Sequence, residues 1–460
     1  MTVLEATGFS TVDPSTGEPI ERFDYHSDTQ LDVVLARAES AHARWRTTSI
    51  EHRIEGIRRL ASILAGRREA LATQIVREMG KPFAQALGEI DKCIATCQHY
   101  ADNVAAFLEP RRVDVGEDAA SVHLRPLGVV LAVLPWNYPW WQVVRAMLPA
   151  IALGDTVVLK HAESVTGCAV TVERVLAEAF GEDVLVLAIA SGAQAGAMIE
   201  DPRIAAVTFT GSERVGAIVA QTAGRVLKKC VLELGGSDPF IVLEDADVAA
   251  AAQAAVRSRF LNNGQSCIAA KRIVVQRSIR DDLVDAMRAH VAALRVGDPF
   301  DPETEVGPIA RQDLAETLRE QRARAAAGGD AVLVGGPDPD RPGSWFAPTL
   351  MSASDRTSPL LAEETFGPLA AVTAVDGVDD AIRVANDTQY GLSSALWTAD
   401  VERAHELAAR IQAGSVFVNA ISMSDPRLPV GGVKASGYGR ELSDYGIAEF
   451  ANVQAVRVGA

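Results

Sequence analysis

The chain has 460 residues, 48% hydrophobic and 23% charged, with 60 acidic against 44 basic side chains and a formal net charge of -16 at pH 7. Single hydrophobic cores stop growing at about 250–300 residues, so two or three domains are expected, and the ordinary composition excludes disordered and fibrous classes. An acidic field repels phosphate backbones, which excludes a nucleic-acid partner and leaves a small molecule as the expected one.

The longest stretch without a formal charge, residues 126–144, contains Pro126, Pro135 and Pro139, and such a segment is not a lipid-spanning helix. The N-terminus lacks a basic region followed by an apolar one, so no membrane association and a cytoplasmic location are expected. Cys93, Cys97, Cys168, Cys230 and Cys267 form no CxxC pair and no zinc-spaced array, so neither a disulfide framework nor a metal is expected.

In chain order, Ile50, Ile54, Ile57, Leu60 and Leu64 recur at helical spacing behind Ser49 as cap, and the pattern stops near Gly80 and Pro82, which predicts one long amphipathic helix or a helix pair. A second stripe, Cys93, Cys97, Tyr100, Val104 and Phe107, ends at Pro110; its cysteines read as core packing, not as metal ligands. Residues 113–125 alternate on either side of a polar turn at Gly116–Asp118, predicting a β-hairpin. From residue 128, apolar runs (GVVLAVLP, TVVLK, VLVLAIA, AAVTFT, KCVLEL) alternate with predicted helices 141–153, 166–180 and 212–223. This is the pattern of a doubly wound parallel sheet, which binds ligands at the carboxyl ends of its strands. After Gly236 the alternation restarts with PFIVL, a helix over 249–261, RIVVQ and a helix over 281–294, a second α/β unit with no linker before it. The closing NVQAVRV reads as a strand able to join the hairpin.

Several residues in this pattern suit chemistry. GSERVG, Gly211 to Gly216, follows a strand and opens a helix, so its free N–H groups suit a pyrophosphate, although Ser212 there also suits a simple cap. Cys267 in NNGQSCIAAKR follows Gly264 and small polar residues that leave a thiol accessible, whereas Cys168 and Cys230 read as buried. Glu233 ends an apolar strand with two glycines behind it, which is either a solvated strand end or a close approach to a ligand. Asn137 in PWNYP is held between prolines at a strand's carboxyl end, where an amide polarises a carbonyl or simply fills a turn. Lys160 and Glu163, three apart past another strand, can face one ligand.

With PWNYP, VLKHAE, FTGSERVG, LELGGSDPF, NNGQSCIA, EETFGP and GGVKASGYGRE in this order, nearly the whole chain resembles the NAD(P)-dependent aldehyde dehydrogenases, and most closely the succinate-semialdehyde dehydrogenases. The resemblance implies an α/β fold with a Rossmann-like cofactor domain (1–110 and 127–235), an α/β catalytic domain (236–437) and a small β oligomerisation arm (111–126 and 448–460), in a homodimer or homotetramer. It implies Cys267 as nucleophile, Asn137 with the Cys267 N–H as oxyanion donors, and Glu233 as the base that activates water. For the cofactor it implies Lys160 and Glu163 at the adenosine ribose, Trp136 and Ser212 with Gly211 and Gly216 at the phosphates, Glu364 at the nicotinamide ribose and Phe366 beside it. Because Glu163 would meet the 2′-phosphate of NADP with like charge, NAD is the expected preference.

Two departures stand out: His161 replaces the common Pro of VLKPAE, and Leu261 and Asp425 stand where mammalian-type succinate-semialdehyde enzymes place an Arg and a Ser. The expected substrate is a short aldehyde bearing a distal carboxylate, succinate semialdehyde first, with glutarate semialdehyde or a general aldehyde as alternatives. Arg145, eight residues after Asn137, and Arg427 in the late loop are its expected carboxylate contacts. A rival class, a cofactor-free cysteine hydrolase, needs a His base, and none of the eight His residues lies in a Gly-rich, motif-like setting comparable to that of Cys267. An acylating dehydrogenase would lack Glu233.

Overall fold

A computed structural model describes residues 8–116 and 118–459. The extreme N-terminus, on which the absence of a leader is read, and the tip of the expected hairpin turn lie partly outside them. Two strands, Gly8–Val12 and Pro19–Asp24, pair antiparallel, and four helices follow: Asp28–Trp45, Ile50–Gly66, Arg68–Met79 and Phe83–Phe107. The first two strands and first helix are not foreseen by the apolar pattern. The expected pair after Ser49 is present, with the Ser49 side chain capping the first helix and Gly80 ending the second at φ +82°. Cys93 and Cys97 are fully buried on the fourth helix.

Strands Lys229–Glu233, Ile204–Thr210, Val129–Leu134, Thr156–His161 and Leu185–Leu187 lie side by side and parallel, and the short strand Gly437–Tyr438 adds antiparallel beyond Lys229–Glu233. The buried strands are continuous apolar runs because helices cover both faces. The expected VLVLAIA strand contracts to Leu185–Leu187, and the helix Gly192–Glu200, not foreseen, follows it. Leu234, Gly235, Gly236 and Ser237 then connect directly to Asp238–Val242 in a second sheet. That sheet runs Ala331–Val334, Thr349–Ser352, Leu369–Val375, Ala270–Gln276, Asp238–Val242, Ser393–Trp397, Ser415–Val418, with only the first strand antiparallel. The hairpin strands Arg111–Val115 and Asp118–Pro126 pair, and Ala451–Val458 joins the second of them antiparallel, Ala451 opposite Pro126 and Val458 opposite Ala119. Among the described residues no helix is long and apolar enough to cross a membrane.

The helix Trp141–Leu153 is buried along its whole length, Arg145 included. It leaves the carboxyl end of Val129–Leu134, while Glu233 ends its strand at the junction between the sheets. These two strand ends and the turn before Ala270–Gln276 fix the site.

Candidate active site

Cys267 is half-buried whereas the other four cysteines are buried, as its setting predicts. It follows an unusual turn. Asn262, Asn263 and Gly264 all have left-handed backbone, φ 57°, 56° and 72°, a region costly for most side chains but tolerable for Asn and Gly. At Gly264 a Cβ would lie 2.4 Å from the Gly367 backbone. Side chains clamp the turn: Asn263 Nδ2 donates to Gly80 O (3.0 Å) and Pro308 O (2.8 Å), and its Oδ1 accepts from Gly307 N (2.7 Å). Asn262 Nδ2 donates to Gln265 O (2.9 Å) and to Asn137 O (3.0 Å), so the turn before Cys267 and the PWNYP turn are tied together.

Asn137 is buried, and one of its side-chain N–H groups donates to Gln265 O at 3.1 Å. Its turn rests on a charged pair that no motif flags. Lys81 Nζ, fully buried, lies 2.5 Å from Glu89 Oε2 and donates to Asn137 O at 3.0 Å. Glu89 Oε1 accepts from the N–H groups of Trp140 (2.8 Å) and Trp141 (3.0 Å), a carboxylate at a helix N-terminus. His161 braces the same turn: Nε2 donates to Pro139 O (3.0 Å), and Nδ1 accepts from Ala162 N (2.9 Å). Burial pushes its pKa down to about 4, so the ring is neutral.

Cys267 opens on a cavity of about 370 Å³ lined by Glu89, Lys92, Tyr138, Trp141, Gln142, Arg145, Leu261 and the loop Ile421–Ser424, among others. Burial pushes the thiol up to about 11, with Arg145 and Lys271 opposing it and Glu233 reinforcing it. Glu233 is buried and is likewise pushed up to about 8 by burial, against Arg145 and with Glu441. Arg145 therefore has an occupation that the sequence does not reveal. Its Nε forms an ion pair with buried Glu441, and its Nη2 lies 3.9 Å from Glu233 Oε2. Burial opposes its charge, but Glu441 and Glu233 outweigh that and raise its pKa. Arg145, expected at the substrate carboxylate, does line the cavity, and it does so paired with Glu441 and close to Glu233. Arg427 stays out of the cavity. Its exposed side chain forks onto Asp425, Nε 2.8 Å from Oδ1 and Nη2 2.6 Å from Oδ2, because a carboxylate two residues away is a nearer partner than the cavity.

A second run of contacts leaves Cys267 through its carbonyl. Lys271 Nζ, fully buried, donates to Cys267 O (2.6 Å) and pairs with Glu364 Oε1 (2.9 Å), which also accepts from Gly236 N (3.1 Å). Phe366 meets Trp136 edge to face with ring centroids 5.7 Å apart. Gly211 N donates to Glu233 O (3.0 Å), and Gly216 lets its helix close on Leu234, where a Cβ would lie 2.5 Å from Leu234 Cδ2. Ser212 caps the following helix through Val215 N. Lys160 and Glu163 line a separate cavity of about 890 Å³ beyond the strand Thr156–His161, with Glu163 Oε1 accepting from Tyr25 O–H at 2.6 Å. A lysine and a carboxylate on one wall of so large a cleft at a strand's carboxyl end fit the adenosine half of a dinucleotide.

The family described as Aldehyde dehydrogenase family matches residues 3–456. The chain is 43% identical over 451 residues to the NADP(+) succinate-semialdehyde dehydrogenase 1 of Mycobacterium tuberculosis, covering 97% of this chain and 99% of that one. It is 41% identical over 457 residues to the NAD(P)+ succinate semialdehyde dehydrogenase Sad of Escherichia coli, covering 99% of each. A succinic semialdehyde dehydrogenase from Streptococcus pyogenes, solved with NADP+ as the cofactor, superposes with a TM-score of 0.95 at 35% identity, covering 97% of this chain and 99% of that one.

Proposed function

From the premise that this chain belongs to the aldehyde dehydrogenase family, we propose that it oxidises a short carboxylate-bearing aldehyde, succinate semialdehyde first, to the acid with NAD(P)+. The observation that carries the reading is that Cys267 opens on a cavity walled in part by Tyr138 of the Asn137 turn, to which Asn262 ties it, while Glu233 lies 3.9 Å behind Arg145 of the cavity wall and acts on the thiol electrostatically. The names of the relatives support the substrate.

In this reading the Cys267 thiolate adds to the aldehyde carbon. Arg145 and Lys271 favour the thiolate against the burial that opposes it. The second Asn137 N–H, the one not given to Gln265, is the donor assigned to the developing oxyanion, with the Cys267 N–H beside it. When bound, NAD(P)+ supplies the hydride acceptor, held through Lys160, Glu163, Trp136, Ser212 and Glu364. Glu233 then takes a proton from water as the water attacks the thioester, which releases the acid and restores the thiol. The unit of residues 1–110 and 127–235 is assigned to the cofactor and 236–437 to catalysis. The sheet built from 111–126 and 448–460 is assigned to assembly of a homodimer or homotetramer.

Absorbance at 340 nm with succinate semialdehyde and NAD+ or NADP+ tests the reading, since a cofactor-free hydrolase gives no signal. Cys267→Ala is expected to abolish it while leaving cofactor binding intact. NAD preference rests on Glu163, whose carboxylate opposes a 2′-phosphate, although two of the named relatives carry NADP+ in their names. Glu163→Ser is expected to shift the ratio of specificity constants toward NADP. Equal or better use of NADP by the unmodified protein would refute the preference.

A further inference from the structure

Two cations line the cavity on which Cys267 opens, and they differ in what already counters them. Arg145 is committed to Glu441 and Glu233. Lys92 projects from the helix Phe83–Phe107, its Nζ 2.6 Å from Ser424 Oγ and 4.3 Å from the centroid of the Trp141 ring. Among the described residues no carboxylate comes within ion-pair distance of it. A largely desolvated ammonium without a counter-ion is incomplete, because burying a charge is costly unless it is paired. Burial, aided by Arg145, pulls the amine down to about 8, while Glu89 and Cys93 on its own helix and Cys267 across the cavity pull the other way. The Ser424 oxygen accepts from the ammonium, so its hydroxyl proton is left to donate to the same acceptor. An ammonium and a hydroxyl donor on the wall of the nucleophile's cavity make a site for a carboxylate.

We propose that Lys92, with Ser424, binds the distal carboxylate of the substrate and sets the preference for a semialdehyde over an uncharged aldehyde. This rests on the reading that the substrate carries that carboxylate. The assignment moves the anchor from Arg145 and Arg427 to a lysine that neither motif nor spacing marks. A charge-assisted contact is worth about 1.5–3 kcal/mol, or roughly 10- to 150-fold.

The test is the ratio of kcat/KM for succinate semialdehyde to that for butyraldehyde in the full-length protein and its variants. Lys92→Met is expected to lower the ratio about 10- to 150-fold, mainly through KM for the semialdehyde, with butyraldehyde turnover reporting a folded site. Lys92→Arg is expected to recover part of the loss. Ser424→Ala, which leaves the lysine in place, is expected to lower the ratio about two- to tenfold. An unmodified enzyme that prefers the semialdehyde and keeps that ratio in Lys92→Met, or in Ser424→Ala should Lys92→Met not fold, overturns the Lys92 assignment alone. An unmodified enzyme without the preference overturns the substrate reading itself.

Discussion

Replacing Arg145 by Met distinguishes a residue that holds the substrate from one that tunes the base. Methionine keeps much of the apolar bulk in a helix buried on all sides, so the principal loss is charge. At 3.9 Å from Glu233 Oε2, a unit charge at an effective dielectric of about 20 contributes roughly 4 kcal/mol, or about 3 pKa units as an upper bound. Glu441 would remain and push in the same direction, since it already raises Glu233. The base role proposed for Glu233 requires it to be ionised, and its starting value is about 8. An upward move of about one to three units therefore cuts the ionised fraction at neutral pH by about 10- to 1000-fold. Turnover should fall by that order for succinate semialdehyde and butyraldehyde alike and recover as the pH is raised. The assay is kcat against pH for both aldehydes, with a pre-steady-state trace at 340 nm to separate the first turnover from the rest. A variant that slows only the semialdehyde, or one whose pH midpoint stays where it was, refutes this and returns Arg145 to the substrate.

In the unmodified enzyme thioester hydrolysis should rise as pH climbs through about 8, where Glu233 loses its proton, and Glu233→Gln should give a single burst at 340 nm and then stall with acyl group on Cys267, which mass spectrometry detects. Lys81→Met breaks a fully buried pair and should cost about 3–5 kcal/mol, read as a lower denaturation midpoint, with a further fall in kcat because Asn137 O loses a donor. Arg427→Ala should leave the semialdehyde-to-butyraldehyde ratio within about twofold, because an exposed pair two residues apart contributes little; a tenfold loss would draw the late loop into the site.

The first sheet is readable from sequence because strands buried on both faces are unbroken apolar runs, such as Val129–Leu134 and Ile204–Thr210, alternating with helical stretches. Between residue 294 and the closing strand the text gives out: Thr349–Ser352 and Ser415–Val418 are four residues each, and the partly exposed edge strand Ala331–Val334 has no clear alternation. Cys267, Asn137 and Glu233 announce themselves by turn chemistry and glycines. Lys92, Lys81, Lys271 and Glu441 do not, because each acts by meeting a distant partner. Glu441 closes on Arg145 from the far end of the chain, inside a Gly-rich motif that is visible but mute about its role. Lys92 stands beside an apolar cysteine stripe and looks like the solvated flank of a helix. Spacing reports which residues share a face, not which charge a remote loop has already answered.

Asn263 is followed directly by Gly264, the pair in which the next residue's amide nitrogen most easily attacks the side-chain carbonyl to close a succinimide and lose ammonia. While the protein is folded, three hydrogen bonds pin that side chain and hold the attack off. Each excursion to the unfolded chain releases it. The aspartate or isoaspartate that results cannot rebuild the turn, since a carboxylate has no hydrogen to give to Gly80 O and Pro308 O and would face both oxygens with its own charge. Heat damage should accordingly leave a chemical record separate from aggregation: a hydrolysed amide four residues from Cys267, accumulating with time spent unfolded and gaining about one mass unit per event, so that the enzyme's ageing is written into the same short turn that gives the thiol its access.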